Sequence, residues 1–388
     1  MRRRTFLGAL TGARLMAQPL GGLKITRFVT HKATIQRDYL FLEIHTDGGI
    51  VGLGEGSLPA RAAIVEQAIR WLEPHFTGKD PSGVEDHWDR MYYRLNRWRD
   101  GSPLMTALSA VDIALWDIEA KRLGVPVWRL LGGPVHNPLG VYYSHWDSTA
   151  RDGSPAALAE RAQATVEEGW TAVKWVVRRE ATLRDRIATT VARLDAIRKA
   201  VGDRLDLALE MFETFSPREA LAFAHAVAPY KPLFIEEPTQ RESPQVLGEL
   251  AAKSPVPVAT GEGLLTRFDF RHLLDHRGAA IIQPDVVHCG GITEMRKIAN
   301  FAEVYGVELA PHQWYGPVAH VASIHAACCC RNFLFQEWDG ASDPVFRELT
   351  RGTCPAQKNG KVTLPDRPGL GIEMDFAMLA KRFPYKGV

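Results

Sequence analysis

Residues 231–240 read KPLFIEEPTQ. Leu233, Phe234 and Ile235 form an apolar run suited to a buried strand, yet it ends in two adjacent carboxylates, Glu236 and Glu237, before Pro238 stops it. A carboxylate at a strand end ordinarily begins a solvated loop. The same pattern recurs along the chain, and the recurrence decides the fold. From about residue 140, short β-branched or apolar runs alternate with longer helical patterns, as in a parallel sheet with crossover helices. Eight runs can be read: LGVYYSH, TAVKWVV, LDLALEM, LFIEEP, PVPVATGE, AAIIQPD, VELAPHQ and NFLFQEW. Amphipathic stretches separate them. One of these, 216–230, opens with SPRE: Ser at the N-cap, Pro in the first turn and Glu at the third position. Eight strands, each followed by a helix, close into a (β/α)8 barrel of about 200–250 residues, which fits residues 138–340.

Ionisable groups fall at the C-terminal ends of six runs: Glu210, Glu236, Glu262, Asp285, His312 and Glu337. The gaps of 26, 26, 23, 27 and 25 residues are each close to one βα unit, so all six reach one face of one barrel. Barrel active sites lie on that face, because every βα loop opens there. Three carboxylates in one mouth repel by several kcal/mol at low effective dielectric, so a positive charge belongs among them. Oxygen ligands with room for water and substrate suit Mg²⁺, and no Cys or additional His is placed to favour zinc. Asp285, one unit before His312, can fix its tautomer and raise the basicity of its other nitrogen. Such a base facing a metal suits removal of the proton next to a substrate carboxylate, with the resulting enediolate stabilised by the metal. Glu337, if protonated, is placed to donate to that oxyanion.

The bulk composition excludes other classes. A formal net charge of +2 gives no reason to expect nucleic acid or an anionic membrane. No run of 18 apolar residues exists, so no transmembrane helix is expected. Cys328, Cys329 and Cys330 match neither a disulfide framework nor a zinc spacing and read as buried helix residues. The opening MRRRTFLGALTGARLMAQPL resembles a twin-arginine export signal over residues 1–20, which implies a periplasmic protein; the alternative is a cytoplasmic protein with an N-terminal extension.

The strings GGPVHN, LFIEEP, GEGLLTRFDFRHLL, IIQPDVVHCGGITEMRKIA, LAPHQWYGPVAHVASIHAA and LPDRPGLGIE resemble the enolase superfamily. With SPLMTALSAVDIALWDIEAKRLGVPVWRLLGG upstream, they are most similar to its mandelate racemase/muconate lactonizing subgroup and the galactonate dehydratase-like acid-sugar dehydratases. A Lys or His base with Mg²⁺ is a known pattern of that superfamily. The resemblance implies an α+β capping domain over residues 23–130, completed by a returning C-terminal segment, 341–388. The capping hairpin YLFLEIHTDGGIVGLGEG turns at Asp47-Gly48-Gly49. Glu210, Glu236 and Glu262 become metal ligands, Asp285–His312 the general-base dyad and Glu337 the oxyanion donor. Lys174 neutralises the substrate carboxylate. Two capping loops, near 31–38 and 97–103, close over the mouth, where Arg37, Arg97 and Arg99 are candidates for gripping an acid sugar. The chain is expected to form a homo-oligomer.

The sequence also departs from that pattern. Glu210 stands where Asp is usual, with Glu213 as the fallback ligand. Phe212 replaces a His acid of the galactonate dehydratase-like enzymes, so galactonate is not the expected substrate. Lys174-Trp175-Val176 lacks the second Lys of the racemases' Lys-x-Lys pair. With one evident base, dehydration of an aldonate or aldarate to a 2-keto-3-deoxy acid is favoured over racemisation. The leaving-group proton is assigned to His312, Tyr143 or His145. The alternatives are an epimerase or cycloisomerase, or an acid-sugar-binding protein without catalysis.

Overall fold

In the computed structural model, which describes residues 22–95 and 101–387, the chain begins with an antiparallel meander. Its strands are β1 (Ile25–Thr34), β2 (Asp38–Thr46) and β3 (Val51–Glu55), and the β2–β3 turn falls at Asp47-Gly48-Gly49, where Gly49 adopts φ 77°. Successive side chains of β2 face opposite ways. Leu40, Leu42 and Ile44 enter a core under helices α1 (Ala62–Phe76), α2 (Val84–Asp89) and α3 (Ser102–Leu123). Tyr39 and Phe41 enter the core shared with the barrel. Strand β3 lies directly on α3 because its alternate residues are glycines. A Cβ at Gly54 would sit 2.0 Å from the Ala110 carbonyl oxygen.

Eight parallel strands follow in the order read from the sequence. They are β4 (Leu139–Ser144), β5 (Ala172–Val176), β6 (Asp206–Glu210), β7 (Phe234–Glu236), β8 (Val258–Thr260), β9 (Ile281–Ile282), β10 (Glu308–Leu309) and β11 (Gln336–Trp338). Each pairs with its neighbour, β11 returns beside β4, and a bridge from Leu309 to Phe333 closes the ring. The helices are wrapped outside; that at Pro217–Val227 opens with the expected Ser216–Glu219 capping box.

Small side chains fill the barrel floor: Ala172, Ala208, Ala259 and Ala310, with Tyr142, Phe234 and Ile281 between them. Two residues further along each strand, the same inward face carries Ser144, Lys174, Glu210, Glu236, Gln283 and His312. An apolar floor thus supports a polar layer at the C-terminal mouth. After β11 the chain passes outside the barrel as β12 (Lys361–Val362), antiparallel to β4, and reaches the N-terminal sheet. There Phe376 stacks on His31 at 3.8 Å, and Pro384 bridges to Ala33. Cys328–Cys330 follow the helix Pro317–Ala327 as free, largely buried thiols. Among the described residues no helix is long and apolar enough to cross a membrane. Arg97, Arg99 and the proposed export segment lie outside the described residues.

Candidate active site

The alternation that builds the mouth decides which expected residues meet. Glu210 and Glu236 end their strands facing inward. Gly261, at φ 134°, breaks the alternation after β8 and lets Glu262, three residues beyond Ala259, turn toward them. One carboxylate oxygen of each of the three lies within 4.8 Å of the others. Ligand oxygens about 2.1 Å from an octahedral Mg²⁺ would be at most about 4.2 Å apart, so the trio needs only slight contraction around a hard divalent cation. Lys174 already places a positive charge there: its Nζ is 2.5 Å from Glu236 Oε1, 3.1 Å from Glu337 Oε1 and 3.6 Å from Glu210 Oε2. Burial opposes that charge, but Glu236 and Glu337 outweigh it and hold the ammonium well above its usual range. Burial, then repulsion from Glu236, pushes Glu210 well above the ordinary carboxylate range.

His312 faces the trio from the far side. Its Nδ1 is 2.6 Å from Asp285 Oδ2, and its Nε2 is 3.4 Å from Glu262 Oε2. Asp285 is anchored by the Val287 N–H, which donates to Oδ1 at 2.7 Å. Burial disfavours a charged imidazole here, but Glu262, Glu337 and the Asp285 hydrogen bond hold His312 up at about 10. A cation among the acids would remove much of that pull.

Glu337 corrects an expectation. Burial opposes its ionisation, yet Lys174 and His312 hold its carboxyl down at about 2, and it accepts the Gln313 N–H at 3.0 Å. With the Lys174 ammonium 3.1 Å from Oε1, the carboxyl is drawn toward its ionised form in this arrangement, whereas donation to an oxyanion needs it protonated. Tyr143 is also displaced from its expected place. It faces outward, stacked on Trp170 at 4.7 Å with Arg161 over its ring, because inward Tyr142 and Ser144 flank it. Arg37 reaches the mouth from the capping sheet, but its guanidinium lies 3.6 Å over the Trp314 ring, donates to the Trp314 carbonyl and approaches Asp339 Oδ2 at 3.7 Å. It therefore braces the loop that follows His312. Glu213, the fallback ligand, pairs with Arg241 at 2.9 Å instead. Burial, reinforced by Glu262 and Glu213, pushes Glu237 up to about 9 behind the trio, with Arg241 at 3.7 Å opposing the shift.

His145 stands at the rim just past β4. Its backbone is left-handed (φ 54°, ψ 27°), a conformation that costs a non-glycine residue about 1–3 kcal/mol and gathers at functional positions. Burial holds its imidazole below the ordinary histidine range. Three groups escaped the sequence reading. Gln283 Nε2 donates to Glu236 Oε2 at 2.6 Å; its signal was its place on the inward face of AAIIQPD. Ser144 Oγ lies 2.9 Å from His145 Nδ1, on the inward face of β4. Glu55, from the capping sheet, accepts from Gly316 N (2.6 Å), Ala319 N (2.9 Å) and Ser57 Oγ (2.6 Å), and so caps the helix that follows the His312 loop. No local pattern announces Glu55.

The barrel thus sets acids ending its third, fourth and fifth strands against a His–Asp pair from its sixth and seventh. Residues 23–132 match the mandelate racemase / muconate lactonizing enzyme N-terminal domain, and residues 157–378 match the enolase C-terminal domain-like family. The chain belongs to the mandelate racemase/muconate lactonizing enzyme family of the enolase superfamily. It is 36% identical over 368 residues to the D-galactonate dehydratase of Ralstonia pickettii (strain 12J), spanning 93% of this chain and 94% of that protein. The D-galactonate dehydratase of Pectobacterium atrosepticum is 35% identical over 369 residues, 93% of this chain and 94% of that one. Among solved structures, a mandelate racemase/muconate lactonizing enzyme from Sulfitobacter sp. superposes with a TM-score of 0.86 at 34% identity, covering 94% of this chain and 96% of that chain.

Proposed function

We propose that this protein is a Mg²⁺-dependent hydro-lyase that removes the proton next to the carboxylate of an acid sugar and expels the β-hydroxyl, giving a 2-keto-3-deoxy acid. One observation carries it: His312, oriented by Asp285 at 2.6 Å, presents Nε2 to the mouth 3.4 Å from the acidic trio. The dehydratase relatives support the same reaction class. Glu210, Glu236 and Glu262 would hold Mg²⁺, which supplies positive charge to the substrate carboxylate as the α-carbon loses its proton. Lys174 neutralises the same carboxylate, released from the acids it now bridges. His312 Nε2 accepts the α-proton, and Asp285 keeps the hydrogen of Nδ1 in place so that Nε2 offers its lone pair. Arg37 and Glu55 hold the His312 loop from the capping side. Val176, in the place of a second base, has no proton to exchange, which separates this site from a racemase.

The test is incubation with Mg²⁺ and a panel of four- to six-carbon aldonates and aldarates in D₂O, scored for 2-keto acid and α-deuterium. Keto acid from at least one member is expected. Exchange without keto acid would assign an epimerase; neither, despite ligand-induced thermal stabilisation, would assign a binding protein.

A further inference from the structure

A dehydratase must protonate the hydroxyl it expels, and the residues nearest at hand are mostly ruled out. Phe212 carries no exchangeable proton, Tyr143 faces Trp170, and Tyr315 is buried with its hydroxyl 2.7 Å from His288 Nε2. His145 remains. Its backbone N–H donates to the Lys174 carbonyl at 3.0 Å, which ties the residue to the strand that carries that lysine. Its Nδ1 lies 2.9 Å from Ser144 Oγ, a contact that fixes how the ring is turned. With Nδ1 engaged by Ser144, Nε2 is the ring nitrogen left to meet a substrate. Nε2 has no hydrogen-bond partner among the described residues, and in the imidazolium form it carries a proton that a departing hydroxyl can take. The ring stacks on Trp314 at 5.5 Å, two residues from His312. Glu337, Lys174, Asp339 and Arg37 are the charges that face it.

We propose that His145 is the catalytic acid, its imidazolium donating the Nε2 proton to the departing β-hydroxyl while Ser144 orients the ring; this rests on the dehydratase assignment above. The step balances. His312 takes the α-proton, the C–H electron pair becomes the new C–C π bond, and the β C–O bond breaks with its electrons on oxygen. That oxygen takes the His145 proton and leaves as water. The enol ketonises, and solvent returns a proton to His145 and removes one from His312. The acting form is the imidazolium, which burial makes the stronger acid but the less populated one.

The experiment compares the wild type with His145→Gln on the acid sugar the wild type dehydrates and on its 3-deoxy-3-fluoro analogue. Fluoride departs without needing a proton. The variant should form keto acid from the sugar about 10²–10⁴-fold more slowly, while still exchanging the α-proton in D₂O and releasing fluoride near the wild-type rate. Sugar dehydration within fivefold of wild type would overturn the proposal. So would parallel loss of exchange and fluoride release, which marks a structural role. Keto acid absent from the wild type across the panel would instead remove the dehydratase assignment, and this role with it.

Discussion

Replacing Glu55 by Gln tests how the capping sheet holds the catalytic loop. Glu55 is fully buried, and burial lifts its carboxyl from the ordinary 4.5 to about 7, only partly opposed by hydrogen bonds from Ser57, Ala319 and Gly316. In the unfolded chain it ionises near 4.5, so between 4.5 and about 7 the folded state binds more protons than the unfolded one. A folded pKa raised in this way stabilises fully below 4.5, and that contribution is lost as pH rises through about 7. At about 1.4 kcal/mol per pH unit the loss is about 3 kcal/mol. Gln does not titrate. It leaves one of the Gly316 and Ala319 N–H groups facing an amide NH₂, a pH-independent cost of about 1–3 kcal/mol. The assay is urea unfolding of both proteins from pH 4.5 to 8. The stability of Glu55→Gln relative to wild type should rise by about 3 kcal/mol across that range and level off above pH 7. A flat difference, or one that falls with pH, would refute the buried, partly protonated carboxylate described here.

Glu236→Gln and Glu262→Gln should each abolish turnover and weaken Mg²⁺ binding by calorimetry; normal binding and turnover would place the cation elsewhere. His312→Asn should eliminate α-proton exchange in D₂O, and retained exchange would move the base to another residue. Gly54→Ala should lower stability by about 1–3 kcal/mol, because its Cβ would sit 2.0 Å from the Ala110 carbonyl oxygen. An unchanged urea midpoint would mean that β3 does not rest on α3 in solution.

The barrel was legible because two local periodicities were enough to write it. Apolar runs of strand length recur at one unit spacing, and each ends in a polar group whose inward direction follows from period-two alternation. Glu210, Glu236, His312 and Asp285 were found that way. Tyr143 shows where the method needs a phase: LGVYYSH alternates in either sense, and only Tyr142 packing on Phe234 at 6.0 Å settles which tyrosine faces in. Glu262 and His145 depend on backbone turns, at Gly261 and at His145 itself, that strand periodicity does not encode.

The sequence by itself therefore determined the barrel, the acidic rungs and the His–Asp pairing, since each arises from spacing along a single chain direction. Tertiary structure alone decided the pairing of Glu337 with Lys174, the grip of Arg37 on Trp314 and the cap that Glu55 supplies to a helix 261 residues away. Those depend on which groups share a low-dielectric space. The electrostatic energy of such a space is set by distances of a few ångströms that no separation along the chain specifies. KPLFIEEPTQ contains both kinds of information. Its spacing placed Glu236 in the acidic trio, whereas only burial beside Glu262 and Glu213 raises the carboxyl of Glu237.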